Sequence, residues 1–206
     1  MTRKQLDCRG LPCPQPVLRC KHCLDVEKAD ALEVLVDNEA ALENVSRFLQ
    51  SQGLDAQGKP QGPDLWRVTA FRSSGPGPVE TRPARDAEAV HLAGEGKTLV
   101  FVTTPSIGRG DDELGDKLMA SFLATLPEMG GRLWRVILLN GAVRLAVEGS
   151  SALDSLKKLE AEGVSILVCG TCLTHFDLLE KKAVGQTTNM LDVITSLQLA
   201  DKVIRP

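Results

Sequence analysis

Apolar and polar positions in the first 72 residues follow two kinds of spacing, one typical of strands and one typical of helices. Residues 32–36 alternate as in a half-buried strand, and residues 40–52 have the apolar spacing of an amphipathic helix that ends at Gly53. Proline suits the first turn of a helix, so Pro14 and Pro16 predict a helix from residue 13 to about residue 28. Further strands are expected at residues 5–8, 54–59 and 65–71. The predicted order is βαβαββ, an open two-layer α/β sandwich.

From residue 98 onward, apolar residues occur in continuous runs, the pattern of strands that are buried on both faces of a parallel sheet. These runs lie at residues 98–102, 136–139 and 164–168, and a last short strand is expected at 202–204. Helices are predicted at residues 113–126, 151–162, 173–181 and 189–199, the first capped by Asp111 or Asp112 and the second by Ser150 or Ser151. Alternating strands and helices predict a parallel doubly wound α/β sheet, in which ligands bind beyond the carboxyl ends of the strands.

The segment between these two patterns reads Ser-Ser-Gly-Pro-Gly-Pro at residues 73–78 and continues with polar residues to position 88. Glycine and proline at this density do not form the interior of a helix or strand. The sequence therefore predicts a first domain over residues 1–72, a linker over 73–96 and a second domain over 97–206.

Composition narrows the classes of partner. Aromatic residues make up 3% of the chain, tyrosine is absent and the formal charge is −3, so we expect neither nucleic acid nor a membrane surface as a partner. The amino terminus lacks the apolar run of a signal peptide, and we expect a cytoplasmic protein whose thiols are reduced. Six cysteines in such a protein indicate reactive thiols or a metal site rather than structural disulfides.

Cys13 is the first candidate reactive thiol. We predict that it occupies the N-cap position of its helix, where free backbone N–H groups favour a negative charge on sulfur. Arg9 and Arg19 are expected to add cationic character. A sulfur atom stabilised in this way is both a nucleophile and a good leaving group, as a residue that accepts and then releases a sulfur atom must be.

The motif around this thiol, Asp-Cys-Arg-Gly-Leu-Pro-Cys-Pro-Gln-Pro at residues 7–16, closely resembles the signature of the TusA/SirA sulfur-carrier family. The resemblance implies a persulfide on Cys13 and supporting roles for Arg9, Gly10, Pro14 and Pro16. The second domain resembles a DsrE-type module, which implies a flavodoxin-like fold and homo-oligomers. The matching segments are Gly-Asp-Asp-Glu-Leu-Gly at 110–115, Leu-Asn-Gly at 139–141, Val-Cys-Gly-Thr-Cys at 168–172 and Thr-Asn-Met at 188–190. The fusion of both domains resembles the YedF family of selenium metabolism, and the sequence does not distinguish selenium from sulfur.

Cys169 and Cys172 form the second constellation, at the end of a predicted strand and the start of a helix. Two thiols at positions i and i+3 can resolve a persulfide as an internal disulfide. The resemblance favours Cys169 as the acceptor, but the spacing alone does not exclude Cys172, so both are candidates. The alternative is that both are small buried residues at a tight turn.

The remaining cysteines carry weaker signals. Cys20 shares a helical stripe with Val17 and Leu24, which favours a core position. Cys23 lies outside the motif, and Cys8, although it lies within residues 7–16, is not one of the residues by which the family signature is defined. A zinc site formed by the four amino-terminal cysteines, with or without His22, is the rival interpretation, although two of these cysteines lie inside a predicted helix. We expect no metal and no cofactor, and no catalytic triad or paired catalytic carboxylate is apparent.

The leading hypothesis is a sulfur or selenium carrier of the sulfurtransferase type rather than a turnover enzyme acting on a free metabolite. Cys13 takes the atom from a persulfide donor protein, such as a cysteine desulfurase, and passes it to an acceptor thiol protein or to Cys169 and Cys172. Two rivals are a thiol–disulfide oxidoreductase that uses Cys169 and Cys172, and a non-catalytic interaction module with passive thiols.

Overall fold

The computed structural model describes residues 2–72 and 96–206, and the chain divides into two compact units. Residues 73–95 of the predicted linker lie outside the described residues. None of the helices in the described part has the length and apolar character that a membrane span requires.

The first unit is the predicted βαβαββ sandwich. Its elements are β1 (Arg3–Asp7), α1 (Gln15–Asp25), β2 (Ala31–Val36), α2 (Glu39–Ser51), β3 (Leu54–Gly62) and β4 (Leu65–Arg72). The strands form one sheet in the order β1-β2-β4-β3, in which β1 and β2 are parallel and the other pairs are antiparallel. Because β1 and β2 are parallel neighbours, the loops that follow them lie at the same edge of the sheet. That edge holds the motif of residues 7–16.

Helix α2 is capped by Asn38, whose side-chain oxygen accepts a hydrogen bond from the Ala41 N–H at 2.8 Å. Its buried side includes Val45 and Leu49, so the helical spacing read from the sequence does face the core. Helix α1 ends three residues earlier than predicted, at Asp25. Its first turn begins at Gln15, later than predicted.

The second unit is a parallel α/β sheet of five strands. Its elements are β5 (Thr98–Val102), α3 (Asp112–Thr125), β6 (Leu133–Leu138), α4 (Leu153–Ala161), β7 (Ser165–Cys169), α5 (Gly170–His175), β8 (Gln186–Thr188), α6 (Met190–Leu199) and β9 (Lys202–Ile204). The order across the sheet is β8-β7-β6-β5-β9 and all neighbouring pairs are parallel. The predicted parallel α/β class is therefore confirmed, and the carboxyl ends of β6 and β7 lie side by side.

Several local predictions for this unit were wrong. Helix α4 begins after Ala152, which offers no capping side chain, and Ser150 instead accepts a hydrogen bond from the Ala152 N–H in the preceding turn. Helix α5 is short and begins directly after β7, not at residue 173. Strand β8 and the two 3₁₀ helices, Leu126–Arg132 and Asn140–Ala146, were not predicted.

Candidate functional site

Cys13 lies in the loop between β1 and α1, one residue before the N-cap of the helix. The N-cap is Pro14, so the prediction that Cys13 itself caps the helix was wrong by one position. Pro14 and Pro16 have no backbone N–H, and the Gln15 N–H donates to the Pro12 carbonyl oxygen at 2.8 Å. The helix start therefore offers fewer free N–H groups to the Cys13 sulfur than the sequence argument assumed. The Cys13 side chain is exposed.

Hydrogen bonds to two carboxylates hold the turn before Cys13 in place at the edge of the sheet. The Arg9 side chain donates to both carboxylate oxygens of Asp7, at 2.9 and 2.6 Å. These hydrogen bonds hold the pKa of the Asp7 carboxyl down at about 2. Gly10, at a φ of +67°, donates its N–H to Asp37 at 2.5 Å, and Asp37 follows the parallel strand β2.

Both arginines near the motif already have partners. Arg9 is paired with Asp7, and Arg19 donates to the Asp7 carbonyl oxygen at 3.1 Å. Their predicted influence on the charge of the Cys13 sulfur stays a prediction. These contacts do explain the shape of the turn. Asp7 is the last residue of β1, and it binds Arg9 through its carboxylate and Arg19 of α1 through its carbonyl oxygen. Sequence reasoning assigned no role to Asp7, although it begins the motif, and it missed Asp37. For Asp37 the available signal was a carboxylate directly after a predicted strand.

The other three cysteines of the first unit are buried. The exposed fractions of Cys8, Cys20 and Cys23 are 1%, 0% and 3%. The core position expected for Cys20 is confirmed, and Cys8 and Cys23 lie in the core as well. Burial raises the pKa of Cys8 to about 11, and it also raises the pKa of Cys20 and Cys23. Because a neutral thiol is a poor nucleophile, these three thiols are shielded both sterically and chemically.

The rival metal site receives no geometric support. Within residues 2–72 and 96–206, no group of three or more His, Cys, Asp or Glu side chains is arranged to hold a metal ion. Cys13 is exposed while Cys8 and Cys20 lie in the core, and His22 instead lies 3.5 Å from Glu27.

Cys169 and Cys172 meet at the carboxyl edge of the second sheet. Cys169 is the last residue of β7 and Cys172 lies in the first turn of α5, and their sulfur atoms are 3.0 Å apart. Cys172 is partly exposed and Cys169 is buried. A third group, which the sequence did not reveal, is the Asn140 N–H, which donates to the Cys172 sulfur at 3.1 Å. An Asn-Gly pair directly after a strand marks a tight turn and was the available signal.

Other polar residues of the second unit make local contacts. Asp111 caps α3 by accepting a hydrogen bond from the Leu114 N–H at 2.8 Å, which is one of the two caps predicted. The His175 ring lies against the Phe176 ring, with centroids 4.9 Å apart. Asn189 caps α6 and, together with Thr188, donates a hydrogen bond to Asp192.

Comparison with known proteins gives a family match in the first unit and likenesses to solved structures. A family model described as sulfurtransferase TusA matches residues 4–70. A Methanocaldococcus jannaschii protein named putative sulfur carrier protein MJ0990 is 43% identical over 51 residues, which cover 24% of this chain and 68% of that protein. Among solved structures, the ychN protein from E. coli matches 54% of this chain and 99% of its own chain, with 18% identity and a TM-score of 0.44. The SirA-like protein from Desulfitobacterium hafniense matches 32% of this chain and 93% of its own, with 26% identity and a TM-score of 0.31.

Proposed function

Because the chain belongs, through residues 4–70, to the TusA sulfurtransferase family, we propose that its first unit carries a sulfur atom as a persulfide on Cys13. The observation that carries this proposal is the contrast among four thiols in one unit. Cys13 is exposed at the edge of the sheet, whereas Cys8, Cys20 and Cys23 are buried with raised pKa values. A carrier needs one thiol that protein partners can reach, and Cys13 alone of these four meets that requirement.

The proposed reaction is a transfer between thiols. The deprotonated Cys13 sulfur attacks the outer sulfur of a donor persulfide, a new S–S bond forms on Cys13, and the donor leaves as its thiolate. An acceptor thiol then repeats the attack on the outer sulfur, and Cys13 departs as the leaving group. The hydrogen bonds at Asp7 and Gly10 support this role because they hold the exposed loop that carries the thiol in one conformation. Less conformational entropy is therefore lost when a partner binds.

The finer parts of the hypothesis are proposals as well. The donor is a protein persulfide of the kind that a cysteine desulfurase forms, and the acceptor is a thiol of another protein or of the Cys169–Cys172 pair. The second unit acts as a DsrE-like module that forms a homo-oligomer, as in the YedF family, and the cargo is sulfur or selenium. The protein works in the cytoplasm, where its free thiols stay reduced.

Intact-mass measurement tests the proposed carrier site. The full chain is incubated with a cysteine desulfurase and cysteine, and we expect a mass gain of one sulfur. The gain should disappear in Cys13→Ser and persist in the matched control Cys20→Ala, whose sulfur is buried. Loading that is equal in wild type and Cys13→Ser would overturn the assignment, and repetition with a selenium donor distinguishes the two cargoes.

A second candidate function is favoured by one distance. The 3.0 Å separation of the Cys169 and Cys172 sulfur atoms suits a thiol–disulfide oxidoreductase, in which these two residues exchange electrons with a substrate disulfide. In that case Cys13 is dispensable, and turnover with a disulfide substrate persists in Cys13→Ser.

A further inference from the structure

The two thiols of the second unit are close enough to form a bond with little movement. Their sulfur atoms are 3.0 Å apart, and a disulfide bond is about 2.05 Å long, so closure requires a shift of about one ångström. Cys169 ends β7 and pairs with Thr188 of the neighbouring strand, which anchors it. Cys172 lies on the short helix α5 and is the more accessible partner.

The Asn140 N–H makes the two sulfur atoms chemically unequal. It donates to Cys172 at 3.1 Å, and a hydrogen bond from a backbone N–H stabilises negative charge as that charge develops on the acceptor. Asn140 follows β6, the parallel neighbour of β7, and has a φ of +50°. The next residue, Gly141, lies against the loop after β5: a Cβ there would be 3.0 Å from Pro105 Cδ. The turn is thus confined, and its N–H stays directed at Cys172.

We propose that Cys172 accepts the outer sulfur of an incoming persulfide and that Cys169 then releases this sulfur as hydrosulfide by closing the Cys169–Cys172 disulfide. The second unit would therefore be a persulfide reductase, an activity distinct from carriage on Cys13. The inference rests on the proposed function in one respect, since it takes the sulfur to arrive as a persulfide.

The chemistry balances in two steps. In the first, the Cys172 thiolate attacks the outer sulfur of a persulfide R–S–SH, which gives Cys172–S–SH and the thiolate R–S⁻. In the second, Cys169–SH attacks the inner sulfur of the ionised Cys172–S–S⁻, which gives the Cys169–Cys172 disulfide and HS⁻. The persulfide sulfur is reduced and the two cysteines are oxidised by two electrons in total. A dithiol reductant of the thioredoxin type then returns the pair to its starting state.

The difference in burial decides which of the two cysteines reacts first with the persulfide. Cys172 is partly exposed and is reachable by a persulfide on another molecule, whereas Cys169 retains 8% exposure and contacts Cys172 directly. A buried resolving thiol also limits side reactions, because external disulfides and oxidants reach it only through Cys172.

A single-turnover experiment tests the proposal in the full chain with Cys13→Ser. This background removes the proposed carrier thiol, so failure here is separate from failure of sulfur loading on Cys13. The reduced protein, freed of reductant, receives glutathione persulfide as the probe. We expect hydrosulfide and the internal disulfide in equal amounts, the latter seen as a loss of two hydrogens from the tryptic peptide of residues 159–181, which contains both cysteines.

Single variants in the same background separate the two roles. Cys169→Ser should lose hydrosulfide release and retain a gain of one sulfur on Cys172, and Cys172→Ser should lose both. Cys169→Ala repeats the first test with a different replacement at the buried position, and Cys20→Ala is the control that keeps both products. The proposal is overturned if Cys172→Ser keeps the adduct, or if Cys169→Ser gives a glutathione mixed disulfide instead of a persulfide. A stable persulfide with both cysteines present would overturn it as well.

Discussion

Thiol alkylation of the folded chain should separate Cys13 from its three neighbours in the first unit. The perturbation is a short exposure to iodoacetamide at about pH 8, where reaction proceeds through the thiolate. Burial raises the pKa of Cys8 to about 11, so roughly one Cys8 in a thousand is ionised at that pH, compared with about a quarter of a free cysteine. Charge alone therefore slows alkylation of Cys8 by roughly two hundredfold relative to free cysteine, and its 1% exposure slows it further.

Trypsin makes the assay direct, because it places each of these cysteines in a different peptide: residues 5–9, 10–19, 20–21 and 22–28. In the folded chain, label should appear first on the peptide of residues 10–19, which holds Cys13. After unfolding in urea all four peptides should be labelled at similar rates, which is the internal control. If the alkylation rate of Cys8 in the folded chain is within tenfold of that of Cys13, the claim that burial suppresses the reactivity of the other thiols is refuted.

Three further predictions concern the supports of the two sites. Gly10→Ala should lower the free energy of unfolding of the first unit by about 1 kcal/mol, because alanine is strained at a φ of +67°. The control Gly62→Ala has open space and no left-handed φ, so it should change that free energy by less than about 0.5 kcal/mol. Hydrogen exchange of residues 2–72 measures both variants, and equal effects would contradict the argument. Asp111→Ala should remove the α3 cap and lower the free energy of unfolding of the second unit, measured in urea, by about 1 kcal/mol. Sulfur loading of Cys13 should stay unchanged in this variant. Folding raises the pKa of Cys8, so its neutral form stabilises the fold below about pH 9 and this contribution is lost as the pH rises through about 11. Wild type should therefore lose about 2 kcal/mol more than Cys8→Ala between about pH 8 and pH 10.5, and hydrogen exchange that changes equally in both would contradict this.

The elements that the sequence predicted well are those with a long, regular pattern. The spacing of Val45 and Leu49 on α2 and the continuous run of β5 each depend on local burial, which repeats along the chain. Strand β8 is only three residues long, and the 3₁₀ helices around residues 126–132 and 140–146 have no apolar period to reveal them. Short elements of this kind form because their neighbours hold them.

The two candidate sites were predictable to different degrees. The motif of residues 7–16 is contiguous, so its cysteine was found, but the cap position depended on which backbone N–H groups the prolines remove. The contact between Asn140 and Cys172 joins residues 32 positions apart and exists because β6 and β7 are adjacent in the sheet. No local pattern encodes that adjacency, and the burial that separates Cys8 from Cys13 is likewise set by tertiary packing.

The most direct test of the central claim is to locate the transferred atom itself. The chain is loaded by a cysteine desulfurase with isotopically labelled cysteine, free persulfides are blocked with an alkylating tag, and the tryptic peptides are analysed by mass spectrometry. Carriage by Cys13 predicts that the labelled sulfur appears first on the peptide of residues 10–19, before any appears on residues 159–181. Label that appears first on residues 159–181, or on a peptide holding Cys8, Cys20 or Cys23, would contradict the account.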